Sequence, residues 1–172
     1  MDSSSLKNAK EVLSSSKEFQ ETISALNDGQ SVLWEGCLGS SNAFIGGEIV
    51  ERLARPLIVI ISKPKELESV TKDFSFFTDS SVYQYPFATI FPNSSSEEYN
   101  DQMILSGKSD LGRRLKALEA LDQWNDTKQA LGSVEKGSPP ILVTTLAALA
   151  QYVPTRKQVV DNTFEIKKGD SV

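Results

Sequence analysis

The sequence predicts an α/β protein built on a parallel sheet with helices on both faces, and three observations carry this reading. Short runs dense in aliphatic and β-branched residues alternate along the chain with stretches whose apolar residues recur every three or four positions, a pattern that calls for strands joined by helical crossovers. The run at 57–61, Leu-Ile-Val-Ile-Ile, shows no polar alternation, as expected of a central parallel strand covered on both faces. Length and composition suit one core, because the chain has 172 residues, 39% of them hydrophobic and 24% charged. A chain of this size buries roughly 70% of the surface that its unfolded form exposes.

Residues 1–16 are rich in serine and lysine, with few apolar side chains (Leu6, Ala9, Val12, Leu13), and read as a flexible lead-in to a domain spanning 17–160. Over 17–27, Phe19, Ile23 and Leu26 recur at helical spacing, and Gly29 follows as a residue suited to the left-handed conformation that closes a helix. Residues 31–35 hold Val32, Leu33 and Trp34 in a compact apolar run and predict the first buried strand. Ser40 or Ser41 caps a helix running to Ala54, with Ala43, Phe44, Gly47, Val50 and Leu53 on its packing side, and Pro56 ends it.

Strand 57–61 follows. Pro64 then opens a helix through Leu67, Val70, Phe74 and Phe77. A short strand at 82–85 leads into a proline-bounded, serine-rich stretch at 86–96. Residues 109–123 form a strong helix aligning Leu111, Leu115, Leu118 and Leu121, and 125–138 read as a surface loop. The fourth buried strand, 141–144, turns at Thr145 into a short helix through Leu146, Leu149 and Tyr152 before Pro154.

The composition narrows the chemistry. The chain has no histidine, which removes Ser-His-Asp and Cys-His nucleophile systems and the usual general base near neutral pH. Lys plus Arg number 18 against 23 Asp plus Glu, a formal net charge of −5. A free-standing DNA binder normally carries a basic face, because counterion release supplies most non-specific affinity. Cys37 is the single cysteine, so no internal disulfide forms. The lack of a leader pattern or long apolar run predicts a cytoplasmic protein with no membrane segment.

Between the predicted first strand and its helix lies Gly36-Cys37-Leu38-Gly39-Ser40-Ser41-Asn42-Ala43. It keeps the outline of the GxxxxGK[ST] phosphate-binding loop, a degenerate Walker A, at the junction where such loops sit. Gly36 holds the first glycine position, Ser41 replaces the second, Asn42 replaces the lysine, and Ala43 replaces the magnesium-binding hydroxyl. The lysine normally neutralises the β and γ phosphates and the hydroxyl holds the metal that bridges them. Losing two such anchors weakens nucleotide binding on the order of 100-fold to 10,000-fold. No apolar run ending in Asp-Glu follows to hold magnesium, so no catalytic residue, metal ligand or cofactor is expected here. The bland alternative is an ordinary strand-to-helix turn of glycine and serine.

Other residues have two readings each. Arg113, Arg114 and Lys116 form a weak phosphate-contacting patch or, with Asp110 and Glu119 nearby, a solvated helix face. Tyr83, Tyr85, Phe87 and Phe91, interleaved with Pro86 and Pro92, are a candidate interface. Phe74 and Phe77 fit a buried helix side better than a base-stacking platform with Phe76. Thr144 and Thr145 stand where helicase-like folds touch a nucleic-acid backbone, and capping the following helix is the simpler role. Glu97, Glu98 and Asp101 read as a solvated turn in preference to a metal site.

Ordered segments at 33–53, 56–62, 113–121 and 141–154 resemble the amino-terminal module of bacterial transcription-repair coupling factors, itself similar to the first domain of the excision-repair protein UvrB. The most specific pieces are the loop 36–43, Arg114-Leu115-Lys116-Ala117-Leu118, and Val143-Thr144-Thr145-Leu146-Ala147-Ala148-Leu149. The resemblance implies a P-loop NTPase fold of the RecA/UvrB kind. UvrB keeps the loop lysine, whereas coupling factors lose it in this module, and Asn42 sides with the latter.

The implied function is a non-catalytic scaffold and docking domain in transcription-coupled nucleotide excision repair. Its parent is then an ATP-dependent DNA translocase that displaces stalled RNA polymerase and recruits UvrA, with ATP and magnesium confined to the motor domains. Residues 161–172, containing Phe164-Glu165-Ile166-Lys167-Lys168-Gly169, resemble the opening of the inserted domain that carries the UvrA-binding surface. On this resemblance the UvrA contact, the polymerase-binding domain and the DNA-binding motor lie past Val172, and the remaining partners are other domains of the parent. An active ATP-binding helicase-like domain and an unrelated α/β binding domain are the alternatives.

Overall fold

The computed structural model describes residues 3–88, 101–131, 138–153, 155 and 157. Three parallel strands form the sheet: β1 (Leu57–Ile61), β2 (Val82–Tyr85) and β3 (Ile141–Thr145), in the order β1-β3-β2. β3 is central, with Ile141 opposite both Leu57 and Val82, and Thr144 opposite both Ile60 and Tyr85. All five β3 residues are buried. The expectation that 57–61 is the covered central strand is corrected, since β1 lies at the edge of the described sheet and its burial alternates. Ile58 is 49% and Ile60 55% exposed. Composition did not distinguish the two strands because both faces of β1 are aliphatic and only one is covered.

Helices pack on both faces, as the alternating pattern predicts. On one side α3 (Ser41–Leu53) and α4 (Leu67–Phe77) bring Ala43, Val50 and Phe74 against Ile141 and Val143. Gly46 permits close approach of these helices, because a Cβ there would stand 2.9 Å from the Phe74 ring. On the other side α5 (Asp101–Leu131) sets Ala117, Leu118 and Leu121 on Tyr83, Tyr85 and Leu142, together with Ala148 of the one-turn helix α6 (Leu146–Leu149). Successive β3 side chains thus serve opposite cores, which is the strand period of two at work.

Three sequence expectations change. Of the expected loose lead-in at 1–16, Ser3–Ser15 forms helix α1, and α2 (Lys17–Asn27) follows directly. α1 is held on α3 by Lys10 Nζ, 2.8 Å from Glu48 Oε1 and 3.0 Å from Glu51 Oε1, and by Ser14 Oγ donating to Glu48 over 3.2 Å. Its weakly apolar sequence gave little sign of this, since the anchor is an ion pair distant in sequence. α2 ends as expected at Gly29, whose φ of 74° lets Gly29 N–H reach Leu26 O and Gln30 N–H reach Ala25 O.

The predicted first strand does not form. Among the described residues, 31–35 makes no backbone-to-backbone hydrogen bond, and Leu33 is 80% exposed. A strand needs a neighbour to pair with, and the apolar run has none in the described fold. Finally, α5 continues through Leu131, so the first half of the surface loop expected at 125–138 is helical, while 132–137 lie outside the described residues. Among the described residues no helix is long and apolar enough to cross a membrane.

Candidate functional site

The loop 36–43 runs into the first turn of α3. Gly36 and Gly39 have φ of 76° and 56°, so both take left-handed conformations that glycine adopts without strain. Ser40 occupies the helix cap position without a side-chain cap bond, and its carbonyl accepts from the N–H groups of Ala43 and Phe44. Ser41 Oγ donates to Leu38 O over 2.7 Å, which commits the hydroxyl to the loop itself. Asn42 faces solvent. Ala43 is 3% exposed and belongs to the core shared by α3, α4 and β3. The position that a phosphate loop gives to a metal-binding hydroxyl therefore holds a methyl group packed in the core. Cys37 is half-buried beside these turns.

The basic trio divides. Arg114 is 4% exposed, departing from the expected solvated face, and the phase explains why: positions 114, 117, 118 and 121 share one side of α5. Its Nη1 donates to Pro86 O at 3.0 Å, Ala148 O at 3.1 Å and Gln151 Oε1 at 3.0 Å. Its Nη2 donates to Tyr85 Oη at 2.7 Å and Tyr152 O at 3.3 Å. Each of these acceptors is neutral. They sit at the end of β2 and in and just after α6, so one planar guanidinium ties three segments together, a task suited to its fixed fork of donors.

Gln151 strengthens the same corner by accepting from Ala88 N–H at 2.9 Å and donating to Ala88 O at 2.7 Å. Thr144 Oγ1 donates to Tyr85 O, and Thr145 Oγ1 accepts from Ala148 N–H, so Thr145 caps α6 as the sequence suggested. Arg113 lies on the surface, donating to Gln84 Oε1 at 3.1 Å and standing 3.7 Å from Asp110. With Lys65, Lys72 and Gln84 it lines a cavity of about 510 Å³. There the Lys72 ammonium, hydrogen-bonded to Glu68, holds that carboxyl below its ordinary range. Lys116 is exposed.

The aromatic strip also divides. Tyr83 and Tyr85 pack in the α5-side core, Tyr85 at 2% exposure, whereas Phe87 is 48% exposed. Phe91, like Glu97 and Glu98, lies outside the described residues. Leu146, Leu149, Tyr152 and Val153 are all exposed apolar residues on the segment that Arg114 and Gln151 bind to 86–88. The short helix expected through Leu146, Leu149 and Tyr152 is the single turn α6, ending at Leu149, and all three side chains are at the surface. Comparison of the chain with family models, with curated proteins and with solved structures finds no match.

Proposed function

We propose that the chain is a non-catalytic docking module of the coupling-factor kind, with a RecA/UvrB-like fold whose phosphate loop has lost its nucleotide chemistry. One observation carries the non-catalytic part: Ala43 places a methyl group packed in the core where a metal-binding hydroxyl would stand, and the Ser41 hydroxyl gives its proton to Leu38 O in place of a phosphate oxygen. The parallel order β1-β3-β2 with helices on both faces is compatible with an α/β fold of this kind, while among the described residues no strand leads into the loop 36–43. The resemblance of four ordered segments supports the family.

On this reading the module works by contact in transcription-coupled nucleotide excision repair. Its net charge of −5 disfavours duplex DNA as a direct partner. The apolar rim of Phe87, Leu146, Leu149 and Tyr152, held rigid by Arg114, is the surface that meets other domains of the parent. Binding of ATP, magnesium, DNA and RNA polymerase falls to the parent's other domains, and the UvrA contact to the inserted domain. Isothermal titration with Mg-ATP and a phosphate-release assay test the reading. The expected result is a dissociation constant weaker than about 1 mM with no turnover. Micromolar affinity with turnover would replace it with an active nucleotide-binding enzyme.

A further inference from the structure

The groove between α2 and the irregular run 31–35 has a chemistry of its own. Its cavity volume is about 440 Å³, with Ala25, Val32, Leu33 and Trp34 as an apolar floor and Glu18, Glu21 and Glu35 around it. Trp34 Nε1 donates to Thr22 Oγ1 over 2.9 Å, which fixes the indole against α2. Leu33 is 80% and Val32 38% exposed. The main chain beside them makes no backbone-to-backbone hydrogen bond among the described residues. Free main-chain groups flanked by exposed apolar side chains are the features to which an added strand pairs.

Charge selects the occupant. Glu18 and Glu35 form no ion pair among the described residues, and Glu21 meets only Lys17, at 3.5 Å with both side chains mostly exposed. A nucleic acid or an anionic lipid surface is repelled by this rim. A second copy of the chain paired symmetrically through this groove would bring the same three glutamates to the contact. We infer that the groove receives an extended peptide segment in which basic residues alternate with apolar ones. Its main chain pairs with 31–35, its apolar side chains rest on Val32, Leu33 and Trp34, and its Lys or Arg residues reach Glu18, Glu21 and Glu35. A cation near Trp34 gains further from the indole face. None of this depends on the reading of the phosphate loop.

The test is a titration of the isotope-labelled chain with acetyl-Lys-Val-Lys-Val-Lys-Val-Lys-amide, followed by backbone amide shifts, with the peptide bearing Glu for Lys as control. Saturable shifts confined to α2 and 30–35 are expected, and none with the acidic peptide. The pair Glu18→Lys and Glu35→Lys, and separately Leu33→Ser, are each expected to weaken binding about tenfold. These positions are exposed, so an unchanged spectrum of each free variant shows that the fold is kept. Absence of shifts, equal binding of the acidic peptide, insensitivity to Leu33→Ser, or sedimentation showing two copies paired through this groove would each overturn the inference.

Discussion

Arg114 Nη2 donates to Tyr85 Oη over 2.7 Å while the guanidinium carbon stands 4.0 Å from the centroid of the same tyrosine ring. One side chain thus serves as hydrogen-bond donor and as stacked cation on a single partner, and its other donors reach backbone oxygens of Pro86, Ala148 and Tyr152. Lysine cannot reproduce that fork. Arg114→Lys is expected to destabilise the fold by about 2–4 kcal/mol, because it leaves carbonyls unpaired and a buried charge poorly solvated. Tyr85→Phe removes one bond and costs about 1–2 kcal/mol. Denaturant unfolding measures both, and an Arg114→Lys loss under about 0.5 kcal/mol would mean that the corner is held by something else.

Docking of α1 rests on Lys10. Burial alone lowers its pKa, but hydrogen bonds and charge from Glu48 and Glu51 outweigh this and hold it above the ordinary 10.5. A group whose folded-state pKa is raised contributes stability that is fully present below its unfolded pKa and lost as pH rises through the folded one. The α1 contact is therefore expected to be constant from neutral pH to about 10 and to loosen above it. Lys10→Met leaves the Glu48 side chain, 5% exposed, without its cation and costs about 1–3 kcal/mol. Lys10→Met with Glu48→Met is expected to recover most of the loss in a double-mutant cycle.

Two glycines in helices should respond in opposite directions to alanine. At Gly46 the new methyl meets the Phe74 ring at 2.9 and 3.0 Å, inside the core, so overpacking of about 1–3 kcal/mol exceeds the helix gain of about 1 kcal/mol. At Gly112 nothing lies within 4 Å, and Gly112→Ala is expected to stabilise by about 0.5–1 kcal/mol. Thermal melts of the two variants decide this. If both rise, the packing of α3 on α4 is looser than the structure has it.

Local patterns located most elements, since each reports physics confined to a few neighbouring residues. The Gly29 stop of α2, the span of α3 and the Thr145 cap of α6 follow from side chains within one turn of the feature. What depended on distant neighbours was not legible. Val32, Leu33 and Trp34 have strand composition but no strand to pair with among the described residues. α1 has a weak apolar face and owes its place to Glu48 and Glu51. Within the candidate site, the core position of Ala43 followed from the apolar side that periodicity assigned to α3, whereas the burial of Arg114 needed the helix phase that Ala117, Leu118 and Leu121 set.

If the side chains of the loop 36–43 are what deprive it of nucleotide chemistry, restoring them should return nucleotide binding. Ala43→Thr is left out of the primary variant, since a hydroxyl placed in that core costs about 1–3 kcal/mol without a partner. Ser41→Gly with Asn42→Lys changes a loop-bonded serine and an exposed asparagine, and returns the glycine and the phosphate-binding cation. Isothermal titration of Mg-ATP into the wild-type chain and this double variant is the measurement. No saturable heat is expected for the wild type below about 1 mM nucleotide. In the variant, affinity higher by at least about tenfold is expected, a charge-assisted phosphate bond contributing about 1.5–3 kcal/mol. Micromolar binding by the wild type, unchanged by Asn42→Lys, would contradict this reading.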